Sequence, residues 1–263
     1  MAETEYGDGE YVRANEILRC LVGSGLHGTA VGGTDDRDEM GIYVESPTSI
    51  FGYVNDRDNY VFRTVGEGER SGPGDVDLII YSLRKYLELA IKGNPTALQP
   101  LFAPDDFLIV KTTLGNELRA LRQHFLSQQA AERFLGYMHG QHQRMLGQSK
   151  RHVPNRPELI EKYGWDTKYG AHALRLGLQG LELVRHGTMT LPMAGKSRDL
   201  VLAVKTGEHS MQYVSEYLDL IEVTMRELLD KGATPLPVQP NVKIINEWAA
   251  DAHLEHWGVI NEL

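Results

Sequence analysis

The chain has a single cysteine, Cys20, in 263 residues. One thiol excludes an internal disulfide and any zinc site built from several thiolates, and it agrees with a reducing compartment. Cys20 sits in the apolar stretch ILRCLV, which marks it as a buried structural thiol. Long apolar runs are also missing: nothing approaches the roughly 20 residues that span a bilayer, so no membrane partner is expected. The opening segment MAETEYGDGE is acidic where a secretory signal is basic and then apolar, which leads to the expectation of a cytoplasmic protein. Positive charge is in deficit. With 27 Lys and Arg against 36 Asp and Glu, the formal net charge is −9. That balance argues against a surface that coats nucleic acid through many phosphate contacts and leaves room only for a local basic groove.

What is present is ordinary in bulk. A hydrophobic fraction of 41% and a charged fraction of 24% match soluble globular chains and exclude disorder or a fibrous repeat. The length fits two domains. Through about residue 104 the pattern alternates: YVRANEIL reads as helix, RCLVGS and MGIYV as strands, and YVFRTV and DVDLIIYS as two more. From Thr113 onward four amphipathic stretches follow: LGNELRALRQHF, QAAERFLGYMHGQHQRML, TKYGAHALRLGLQGLELVRH and MQYVSEYLDLIEVTMRELLDK. The expected division is therefore residues 1–104, carrying the strands, and residues 105–263, helical. TPLPVQP breaks the last long helix before a short tail.

The most informative segment is VGSGLHGTAVGGTDDRDEMGIYV, from Val22 to Val44. Gly23-Ser24 closes an apolar strand, and Asp36 and Asp38 stand at the edge of the next. Residues i and i+2 of a strand project from one face, so the two carboxylates converge. They repel unless a cation lies between them, and hard oxygen ligands suit Mg²⁺ or Mn²⁺. Phosphoryl transfer uses such clusters, usually with a third carboxylate. GDVDLIIYS offers Asp77, directly before LIIY, with Asp75 as the alternative. Gly23 and Ser24 would let backbone N–H groups approach a phosphate, aided by the start of the following short helix. A solvated acidic turn is the competing reading of DDRD. A calcium loop is disfavoured because Pro47 stands where the twelfth-position Glu would fall.

A Gly-Ser turn, then Asp-x-Asp a dozen residues on, then a strand with one more acid, resembles the signature of DNA polymerase β-type nucleotidyltransferases. More narrowly, GSGLHGT with DDRDEMGIYVESP, DVDLIIYSLRKYLELAIKGNPTALQPLFAP and KYGWDTKYGAHALRLGLQGLEL is similar to the RNA-repair-pathway polymerase β-like family. The resemblance implies an α+β fold: a small mixed sheet with flanking helices, followed by a helical domain. It also implies a divalent-metal site and transfer of a nucleoside monophosphate from an NTP. Asp36, Asp38 and Asp77 are then the expected catalytic and metal-binding residues, with Gly23 and Ser24 at the nucleotide.

Lys168, His172 and Arg175 fall at i, i+4 and i+7, one face of a helix. The resemblance suggests that this helix closes over the site and that the three groups meet the triphosphate; a solvated basic stripe is the alternative. Asp166 is placed to cap that helix. Between Arg144 and Lys168 basic residues outnumber acids, and with Tyr163 and Trp165 available for stacking this stretch is a candidate track for an RNA acceptor. Other signals fail on spacing. MAGKS at 193–197 lacks the P-loop glycine, since position 190 is Thr190, and no H-E-x-x-H is present. The leading expectation is a nucleotidyltransferase acting on an acceptor hydroxyl, most simply of RNA. The alternatives are a nucleotide-sensing or RNA-binding module on the same fold, and nucleotidylation of a protein hydroxyl.

Overall fold

The computed structural model describes residues 3–32, 36–53, 58–148 and 156–259. They form two compact units. One combines Met1–Ile91, Thr96–Phe125 and Asn241–Leu263; the other combines Lys92–Pro95 and Leu126–Pro240. Residues 105–125 and the C-terminal segment therefore group with the sheet.

The first unit is α+β. Its strands are β1 (Thr4–Tyr6), β2 (Glu16–Leu21), β3 (Arg37–Tyr43), β4 (Asn59–Arg63), β5 (Val76–Ser82) and β6 (Leu108–Lys111). They form one mixed sheet in the order β1-β4-β5-β3-β2-β6. β3 and β5 run parallel, and the remaining pairs are antiparallel. Around the sheet lie α1 (Gly9–Ala14), α2 (Gly23–His27), α3 (Pro47–Phe51), α4 (Leu83–Ile91), α5 (Gln99–Phe102), α6 (Thr113–Ala120) and α7 (Arg122–Phe125). Period-2 alternation sets the faces of β5: Leu78, Ile80 and Ser82 are buried, while Asp77, Ile79 and Tyr81 point the other way. Leu78 and Ile80 pack with Val12, Tyr43 and Tyr60 into one core cluster.

Two local expectations are corrected. YVRANEIL is not one helix: Asn15 ends α1, its backbone N–H and its Nδ2 both donating to Tyr11 O. Glu16 then opens β2, where Ile17, Leu18 and Cys20 are needed as core residues. Likewise β2 ends at Leu21, and Gly23-Ser24 starts α2 instead of closing the strand.

The second unit is helical: α8 (Gln128–Met145), α9 (Pro157–Tyr163), α10 (Thr167–His186), α11 (Gly195–Lys205) and α12 (Met211–Asp230). α10 is central and is buried on most of its circumference. It packs against α8, α11 and α12, with Phe134, Met138, Leu174, Leu183, Ile221 and Met225 among the buried side chains.

The segment after residue 240 is not a short tail. It folds as α13 (Val242–His256) and returns to the first unit. His253 Nε2 lies 3.1 Å from Glu45 Oε2, and Trp257 Nε1 donates to Glu45 O at 2.8 Å. The same Glu45 carboxylate accepts from Leu83 N and Arg84 N, capping α4. Burial pushes the Glu45 carboxyl upward, but hydrogen bonds, from His253 first and from Ser82 and Arg84 N, hold it below the usual carboxylate range. No helix among the described residues is long and apolar enough to cross a membrane.

Candidate metal centre

Asp38 and Asp77 stand at register-matched positions on the parallel strands β3 and β5. Neighbouring strands are about 4.8 Å apart, so matched side chains on one face must meet. Asp36 lies two residues before Asp38 and joins them: the three side chains each offer a carboxylate oxygen within 4.8 Å of the others. They are half-buried, and no other such group occurs among the described residues. Arg37 N donates to Asp75 O at 2.8 Å, which extends the β3–β5 pairing past the strand ends and fixes the approach of Asp36. Three convergent carboxylates with solvent access are the donor set that a hard divalent cation requires, so the residues present fit Mg²⁺ or Mn²⁺.

The turn before this site is shaped around Asp38. Val22 N donates to Asp38 O at 2.9 Å, holding the chain beside β3. Gly23 follows at φ +66°, and a Cβ there would fall 2.1 Å from Asp38 Oδ2. Only glycine both accepts that φ and leaves room for the carboxylate. Ser24 sits in the first turn of α2, its carbonyl bonded by Thr29 N at 3.0 Å.

The two acids of GDVD have separate tasks. Asp75 holds the β4–β5 connection: Oδ2 accepts from Gly72 N at 2.9 Å and Oδ1 from Thr64 Oγ1 at 2.8 Å. Those bonds, Gly72 first, keep its carboxyl below the usual range. Asp77 is the one that reaches Asp36 and Asp38. Its Oδ1 accepts from Arg63 Nε at 2.9 Å and from Ser71 Oγ at 2.8 Å. Neither partner is evident from the sequence. Arg63 is legible as part of the strand YVFRTV, but its position directly across from Asp77 depends on the antiparallel β4–β5 register, which the long connection between those strands conceals.

In the second unit, Asp166 caps α10 by accepting from Lys168 N at 3.1 Å. Lys168 and His172 are exposed. Crowding by protein atoms, and then the charges of Arg175, Lys168, Arg156 and Lys205, hold the His172 imidazole well below the usual histidine range. Arg175, one turn on, is 8% exposed and donates to Gln179 Oε1 at 2.9 Å. Burial lowers it to about 10, so it stays charged at neutral pH. Among the described residues it has no carboxylate partner.

The basic stretch is described only in part. Lys150 and Arg151 lie outside the described residues. Arg156 pairs with Asp166 at 3.1 Å, and its guanidinium lies 5.1 Å from the Tyr169 ring centre. Trp165 is not available for base stacking. It is 8% exposed and packs so closely on Gly170 that a Cβ there would fall 2.5 Å from its ring. Tyr163 is half-buried, with Lys162 Nζ 4.8 Å from its ring centre.

A mixed sheet with a register-matched carboxylate cluster beside a Gly-Ser turn defines a class, the polymerase β-like nucleotidyltransferase fold. The chain belongs to the RNA repair pathway DNA polymerase beta family, whose model matches residues 10–247. Among solved structures it is similar to a nucleotidyltransferase-like protein from Exiguobacterium sibiricum. That likeness has 12% identity and a TM-score of 0.33, and covers 83% of this chain and 72% of that one. A search of curated proteins found no match.

Proposed function

We propose that this protein transfers a nucleoside monophosphate from an NTP to an acceptor hydroxyl, most simply on RNA. The observation that carries this reading is the convergence of Asp36, Asp38 and Asp77 within 4.8 Å, on register-matched strands next to the Gly23 turn. Family membership supports the reaction class, and the family's place in RNA repair supports an RNA acceptor.

Asp36 and Asp38 would hold Mg²⁺ or Mn²⁺, with Asp77 completing the set or taking the acceptor's proton. A divalent ion bound there supplies Lewis-acid polarisation of the phosphoryl group. In the transfer, the acceptor oxygen forms a bond to the α-phosphorus and the bond from that phosphorus to the bridging oxygen breaks. Pyrophosphate leaves, and the hydroxyl proton passes to a carboxylate such as Asp77. Gly23 and Ser24 offer backbone N–H groups to a phosphate.

Lys168, His172 and Arg175 are the nucleotide partners we propose from the helical unit, on chemical grounds. Arg175 supports this most directly: a buried guanidinium with a neutral partner is costly, and a phosphate oxygen would satisfy it. The test is incubation with each α-labelled NTP, Mg²⁺ or Mn²⁺, and a mixed RNA and protein acceptor pool. Label on RNA is the expected result. Label on protein alone overturns the RNA acceptor, and no transfer from any NTP overturns the activity.

A further inference from the structure

Arg63 and Asp77 face each other across the β4–β5 register, in the same row as Asp38 on β3. Arg63 Nε donates to Asp77 Oδ1 at 2.9 Å, and Ser71 Oγ donates to that same oxygen at 2.8 Å. Arg63 Nη2 in turn donates to Ser71 Oγ at 2.9 Å and to Glu69 O at 3.3 Å. Both hydrogen bonds to the Asp77 carboxylate therefore fall on one oxygen. Among the described residues its Oδ2 accepts none.

We infer that Arg63, seconded by Ser71, is a positioning residue of the carboxylate centre: it anchors Asp77 by Oδ1, leaves Oδ2 to act, and sets the charge the site presents to a divalent cation. Three carboxylates held this close repel one another, and Arg63 offsets one of the three charges. The remaining two match one divalent ion. A side chain that only braced the β4–β5 connection would support cation binding and turnover alike. Arg63 instead opposes the cation electrostatically while orienting the group that serves the reaction. This rests on the transferase reading for its turnover arm but not for its metal arm.

The experiment pairs two readouts on Arg63→Gln, Arg63→Lys and Ser71→Ala. The first is Mn²⁺ binding to the full chain without nucleotide, free Mn²⁺ being read by electron paramagnetic resonance, with an Asp36→Asn/Asp38→Asn double variant as background. The second is the transfer rate at saturating NTP. Arg63→Gln should bind Mn²⁺ about tenfold more tightly, since it removes a unit positive charge bonded to one of the three carboxylates that would hold the ion, and should transfer about 10- to 100-fold more slowly. Arg63→Lys keeps the charge, so its Mn²⁺ affinity stays within about twofold of wild type while its rate falls. Ser71→Ala should behave in the same way with a smaller loss of rate. Mn²⁺ binding in Arg63→Gln that is unchanged or weaker, or a wild-type transfer rate, overturns the proposal. Should Arg63→Gln fail to fold, weakened Mn²⁺ binding in Arg63→Lys overturns it. If the wild-type chain labels no acceptor, the transferase reading fails, and the Mn²⁺ arm still decides the role of Arg63.

Discussion

Gly23 and Asp38 approach so closely that a single added methyl group at position 23 would fall 2.1 Å from the Asp38 carboxylate. The turn and the acid are one construction. At φ +66° an L-residue also pays about 1 kcal/mol or more for the left-handed conformation. Gly23→Ala should therefore displace Asp38, lower the transfer rate by more than about tenfold, and cost about 1–2 kcal/mol of stability. Transfer assays with thermal melts check this; activity within about twofold of wild type would show that Asp38 is not held in its working position by the turn.

Glu16 supplies a pH-dependent prediction outside the site. Burial raises its carboxyl to about 7; Arg19, within ion-pair distance at 3.2 Å, only partly opposes this, and Glu39 adds to it. The folded state thus binds this proton more tightly than the unfolded chain does. The associated stability is present below pH 4.5 and is lost as pH rises through about 7. Glu16→Gln mimics the protonated form, so it should match wild type at about pH 4–5 and exceed it at about pH 8, by up to about 3 kcal/mol. Melting curves across that range test it, and a difference that does not change with pH contradicts it.

Arg175 separates a structural cation from a ligand-binding one. Replacing a buried charge that has no anionic partner by an apolar side chain of similar volume should cost little stability, whereas breaking a buried ion pair costs about 3–5 kcal/mol. Arg175→Met should accordingly retain its melting temperature to within a few degrees and lose about 1–3 kcal/mol of NTP affinity, with Lys168→Ala losing a similar amount. Equilibrium binding of each NTP measures this. Unchanged affinity in the double variant would remove Lys168 and Arg175 from the nucleotide site.

Much of the site is legible in the sequence because a strand has period 2. The parity of Asp36 with Asp38, and the alternation of DVDLIIYS, single out the carboxylates that the structure brings within 4.8 Å of one another. Parity alone does not separate Asp75 from Asp77, which have the same parity. That choice follows from the parallel register of Asp38 with Asp77 and from the bonds of Asp75 to Gly72 and Thr64. Short elements escape for a related reason: β1 and β6, of three and four residues, are too brief to show a period. The return of α13 to Glu45 joins residues about 200 positions apart in the chain, which no local pattern encodes. Trp165 and Arg156 read as available for an acceptor because composition does not reveal that one is packed on Gly170 and the other engaged by Asp166.

The acceptor track is best tested where those ties do not interfere. Arg156→Ala would disturb the α10 cap as well as any binding of RNA, so Lys150→Ala/Arg151→Ala is the cleaner variant. If this stretch neutralises RNA phosphates, the double variant should raise the acceptor KM and reduce the salt dependence of binding, by about 0.7 in log–log slope for each phosphate no longer neutralised on a single strand. NTP affinity should not change. An unchanged KM and slope would move the RNA site elsewhere.

The most direct measurement concerns the carboxylates themselves. Asp36→Asn and Asp38→Asn keep the shape of each side chain and remove its charge. Transfer of label from an α-labelled NTP should fall by at least about 100-fold in each variant, while melting temperatures stay within a few degrees of wild type. Near-normal transfer in both single variants would contradict the assignment of Asp36, Asp38 and Asp77 as the metal-binding centre of a nucleotidyltransferase.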